Sequence, residues 1–91
     1  MVNHKITKSE RRVLERLIFP ETFQVIMEET GLLYGELRDD LINLLNFGFV
    51  EAYEVEGSKL ALTKFYDSDN LQDFTFRATK RGLSAIKNIR A

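Results

Sequence analysis

The chain has 91 residues, 44% of them hydrophobic and 30% charged, with one Pro, no Cys and a formal charge of −1. That length buries a single core, and the composition is that of a folded domain rather than of a disordered chain. Without Cys there is no disulfide framework and no thiolate metal site, and no window approaches the ~20 apolar residues of a membrane span, so one cytoplasmic domain over residues 1–91 is expected.

Charge is distributed unevenly. Residues 1–18 carry five basic and two acidic side chains (+3), residues 19–57 one basic and nine acidic (−8), and residues 58–91 seven basic and three acidic (+4). Two basic ends and an acidic middle matter more to a partner than the near-neutral total.

Thr7-Lys8-Ser9-Glu10 has the spacing of a capping box, with the Thr7 hydroxyl placed to accept from the Glu10 amide. Val13, Leu14, Leu17 and Ile18 then form an apolar stripe that stops at Phe19-Pro20, which predicts helix 1 over about 8–18. Pro20 suits a helix first turn and Glu21 its dipole, so helix 2 is predicted over about 20–30, with Phe23, Ile26 and Met27 inward and Gly31 as the left-handed residue that ends it. Leu33, Leu37, Leu41, Leu44 and Leu45 mark helix 3 over about 33–47, closed by Gly48. From Phe49 the period changes to loose alternation. Strands are predicted over about 49–55 and 60–65, joined by a turn at Glu56-Gly57-Ser58-Lys59, and over about 74–78 after the polar loop Asp67-Ser68-Asp69-Asn70. Thr79 caps helix 4, over about 80–90, with Leu83, Ile86 and Ile89 as its apolar stripe.

Two segments resemble the winged helix-turn-helix class of prokaryotic transcription regulators. Leu37-x3-Leu41-x2-Leu44-x3-Gly48-Phe49-Val50-Glu51 is similar to the end of a recognition helix running into a wing strand. Phe76-Arg77-Ala78-Thr79-Lys80-Arg81-Gly82-x3-Ala85-Ile86 is similar to the closing strand and its Thr-x-x-Gly helix start. The resemblance implies an α+β winged-helix fold: a three-helix core, a two- or three-stranded antiparallel wing with an extended hairpin, and a C-terminal helix. The chain departs from the pattern in the length of Glu54 to Asp73, which suggests an extra strand, and in an acidic loop tip.

In that class helix 3 lies in the major groove, so the resemblance implies double-stranded DNA as partner and a role in transcription control. The candidate contacts are Tyr34, Arg38 and Asn43 on helix 3, Lys59 and Lys64 in the β region, and Arg77, Lys80 and Arg81 beyond it. Glu36, Asp39 and Asp40 oppose this, because a helix carrying net negative charge is repelled by phosphate before any base is read. The alternative is a protein-interaction or dimerisation module that keeps the fold and does not bind DNA. The two differ in charge placement: acidic residues across helix 3 and the wing tip favour the alternative, a Lys/Arg band beside helix 3 favours DNA. Leu83, Ile86 and Ile89 either pack on the domain's own core or join a homodimer through the terminal helices, as in related regulators. Ile42, Tyr66 and Leu71 are further expected contact points.

No catalytic residues, cofactor or metal are expected. His4 is the single histidine and lies in a polar terminus. Glu28-Glu29 and Asp39-Asp40 are sequential pairs that diverge by about 100° on a helix and so make no general acid/base pair by themselves.

Overall fold

The computed structural model of the chain describes residues 5–88. Among these, four α-helices stand with one four-stranded antiparallel sheet in a mixed α+β arrangement. The order is α1 (Lys8–Glu15), β1 (Glu21–Thr22), α2 (Phe23–Thr30), α3 (Tyr34–Asn46), β2 (Val50–Glu56), β3 (Lys59–Thr63), a single 3-10 turn (Leu71–Asp73), β4 (Thr75–Ala78) and α4 (Lys80–Asn88).

Local chemistry sets most of the boundaries. Thr7 Oγ1 accepts from the Glu10 amide at 3.1 Å, and Glu10 Oε1 accepts from the Thr7 amide at 3.0 Å, so both halves of the capping box form. Gly31 (φ 73°) and Gly48 (φ 74°) take the left-handed backbone that ends α2 and reverses the chain after α3, a region costly for any residue with a β-carbon. Thr79 caps α4: its hydroxyl accepts from the Gly82 amide at 3.0 Å.

Helix 1 stops three residues short of its expected end, at Glu15. Beyond it the Leu17 carbonyl turns to the sheet and accepts from the Ala78 amide at 2.8 Å, a bond an α-helical continuation would not offer. Helix 2 does not begin at Pro20. Glu21-Thr22 is instead a short edge strand, with Glu21 opposite Phe76 and Thr22 opposite Thr75. Thr22 then caps α2 through its hydroxyl, which accepts from the Val25 amide at 3.3 Å. The sheet thus has four strands where two or three were expected, in the order β1-β4-β2-β3. The long stretch after β3 adds no strand beyond these, only the turn at Leu71–Asp73.

Val13, Leu14, Leu17, Phe23, Ile26, Leu37, Leu41, Leu44 and Phe76 are all buried between the helices and the inner sheet face. Burying side chains of this size stabilises by roughly 1.5–3 kcal/mol each, which is what a domain of this length has to set against chain entropy. Three expected contact points prove to belong to this core: Leu71 is fully buried, and Ile42 and Tyr66 are half-buried against it. Leu83 and Ile86 are half-buried on the same core. Ile89, like His4, lies outside the described residues.

Candidate functional site

The solvent side of α3 was the expected reading surface, and its one basic residue is already engaged. Arg38 Nε donates to the Ser68 carbonyl at 3.1 Å, Nη1 lies 3.5 Å from Asp39 and Nη2 3.7 Å from Asp69. The loop Asp67–Asn70 is shaped for this. Asp67 Oδ1 accepts from the Asp69 amide and Oδ2 from the Asn70 side chain, bonds that hold the Asp67 carboxyl below its ordinary range. The two charged neighbours of Arg38 are thus both carboxylates, and Glu36, also exposed on α3, turns its own carboxylate back to the Leu33 amide at 2.9 Å.

Two other candidates on α3 also have internal duties. The Tyr34 ring packs against Phe23, centroids 5.2 Å apart, and Asn43 Nδ2 donates to Glu10 Oε2 at 3.3 Å. Glu10 is buried at the α1–α3 contact, and Asp40 faces the same place. Burial raises the Asp40 pKa, reinforced by the negative charges of Glu10, Asp39 and Glu36 and opposed by a hydrogen bond from Ser9. One Asp40 carboxylate oxygen, Oδ2, is buried without a hydrogen-bond partner.

The remaining candidates are dispersed over separate elements. Lys59 and Lys64 are exposed at the start of β3 and just after its end. Arg77 is exposed on β4, opposite Glu51 of β2. Lys80 and Arg81 are exposed on the first turn of α4, where the Arg81 guanidinium sits 5.3 Å from the centroid of the Phe49 ring. Lys8, Arg11 and Arg12 line an open surface on α1, but Arg11 pairs with Glu15 and Arg12 donates to the Thr30 carbonyl at the end of α2. That second bond places a cation at a helix C-terminus, a structural use of the charge.

A surface that sequence reasoning missed lies on the β2–β3 hairpin. Register puts Tyr53 opposite Leu62 and Val55 opposite Leu60, all on the face turned away from the core side held by Val50, Ala52, Phe76 and Ala78. Val55 is 65% exposed, Leu62 56% and Leu60 43%. The signal was present as alternation within Ala52-Tyr53-Glu54-Val55, but only pairing with β4 decides which face is inward. At the tip Glu54 and Glu56 are exposed, as is Lys59. A shallow depression of about 290 Å³ lies beside the hairpin, lined in part by Leu45, Val50, Ala52 and Tyr66. Among the described residues no helix is long and apolar enough to cross a membrane.

No family model, curated protein or solved structure matches the chain.

Proposed function

We propose that this chain is a winged-helix domain that works by binding protein, and that its third helix does not read DNA. Support for the fold reading is the element order, with α2 and α3 joined through Gly31–Leu33 and followed by a hairpin and a closing strand and helix. The two segments that carry the resemblance also meet. The Thr79 amide donates to the Phe49 carbonyl at 3.0 Å, and the Thr79 hydroxyl to the Gly48 carbonyl at 2.7 Å.

The observation that carries the functional reading is the engagement of Arg38. Its exposed ion pairs are individually weak, and displacing them together with the Ser68 bond costs only about 1–2 kcal/mol. Its consequence is the net charge: with Asp39 and Asp69 beside the guanidinium and Glu36 exposed elsewhere on the same helix, the α3 surface stays negative, and DNA presents about one negative charge per 1.7 Å of axis. Exposed Val55, Leu60 and Leu62 offer the contrasting chemistry, an apolar patch suited to a protein partner.

A mobility-shift series with duplex DNA from low to high salt tests this. No retention even at low salt is expected. Retention that falls steeply with salt and is lost in Arg38→Ala would overturn the reading. DNA bound through its backbone by α1 remains a second reading, because Lys8, Arg11 and Arg12 share one open surface; Lys8→Ala in the same series tests it.

A further inference from the structure

We propose that the free edge of β3 pairs with β3 of a second copy of this chain, antiparallel and about a two-fold axis at Ala61. This rests on the protein-binding reading above and names the partner. Among the described residues β3 is the terminal strand of the sheet, hydrogen-bonded to β2 on one side only. Glu56 and Lys59 flank the two-residue turn at Gly57-Ser58, where Gly57 has φ 63°, so they form a hydrogen-bonded pair and bonding alternates from there. Lys59, Ala61 and Thr63 thus turn their main-chain groups to β2. Leu60 and Leu62 turn theirs outward, ready to bond a further strand.

The segment Lys59-Leu60-Ala61-Leu62-Thr63 is close to self-complementary when reversed. Pairing about Ala61 sets Leu60 opposite Leu62 of the second copy, twice, and Lys59 opposite Thr63, so no like charges face each other. Lys64, just past the strand, falls opposite Ser58. Both Leu pairs fall on the outer face beside Val55 and Tyr53, so two half-exposed apolar patches become one continuous stripe. The small Ala61 at the centre lets the strands approach without obstruction. A shift of one residue would turn Leu toward the opposite face of the neighbouring strand, and this holds the register. A single strand seam is smaller than the ~800 Å² per partner of a standard interface, so the dimer is concentration-dependent.

Sedimentation equilibrium of the full chain tests the seam. The apparent mass is expected to rise from 10.6 kDa toward twice that value with concentration. Leu62→Lys and Leu60→Glu each place a charge against a Leu of the other copy, so each alone should remain at the mass of one chain. Mixed in equal amounts they should associate, because residue 62 of one faces residue 60 of the other. Both side chains are substantially exposed, so circular dichroism should show both variants folded as the wild type. A wild-type mass that stays at 10.6 kDa up to about 1 mM overturns the proposal, as does a Leu62→Lys variant that still doubles, or a mixture that does not associate. Salt-sensitive retention of DNA by the wild type that Arg38→Ala abolishes would instead overturn the protein-binding reading, and either result can occur without the other.

Discussion

The Gly82 α-carbon lies directly against the Phe49 carbonyl oxygen: a β-carbon added there would overlap that oxygen and come within 3.1 Å of Leu14 Cδ2. Glycine at this position is a requirement of close approach, since α4 crosses the start of β2 with no room for a methyl group. Gly82→Ala should therefore destabilise the domain by about 2 kcal/mol or more, although Ala is the better helix former. Gly35→Ala is the control. It lies on α3 with nothing within 4 Å of the added carbon, and should stabilise by up to about 1 kcal/mol. Urea unfolding of the three proteins checks the sign of both changes.

The boundary residue Thr79 ties the same joint together by donating to the Gly48 carbonyl and accepting from the Gly82 amide. Thr79→Val keeps the shape and removes both bonds. A loss of about 1–2 kcal/mol is expected, larger than the ~1 kcal/mol for Thr7→Ala, whose cap lies on an exposed residue. Thermal unfolding of the pair orders the two.

What was legible in the sequence is what adjacent residues decide among themselves. Thr7 with Glu10, Gly31, Gly48 and Thr79 carry their reason for a helix end within a turn of chain, and the leucines of α3 repeat at the helical period. Strand β1 was not legible, because Glu21-Thr22 becomes a strand only when Thr75-Phe76 lies beside it, and Pro20 fits a helix start equally well. Arg38 was open to a base-reading role for the same reason: its partners in the loop at Ser68 and Asp69 stand thirty residues away. Leu71, expected as a contact point, became core when the turn at Leu71–Asp73 packed on α2.

Breaking the clamp on Arg38 should be mild in energy and local in effect. Its ion pairs are exposed and screened, so Arg38→Ala is expected to cost about 1 kcal/mol, most of it from the bond to the Ser68 carbonyl. Amide hydrogen exchange should accelerate at Asp69 and Asn70 while the amides of β2 and β4 keep their protection. Faster exchange throughout the sheet would show that the loop is integral to the core instead.

Asp40 provides the pH dependence. Its folded pKa is raised, chiefly by burial and then by Glu10, Asp39 and Glu36 despite the Ser9 hydrogen bond, so the folded state holds this proton more tightly than the unfolded chain. The charged carboxylate therefore costs stability above its folded pKa, and that cost is relieved as pH falls through the folded pKa toward the ordinary value of 3.8. Asp67, lowered by its hydrogen bonds, acts in the opposite sense and loses its contribution in acid, so the total curve mixes both. The difference between wild type and Asp40→Asn isolates the first. At neutral pH the variant should be the more stable, by a few tenths of a kcal/mol to about 1 because the group is partly solvated. That advantage should shrink as pH falls toward 4. A variant less stable than wild type at pH 7 would mean that the Asp40 charge supports the α1–α3 contact through its bond to Ser9, reversing the sign assigned to it.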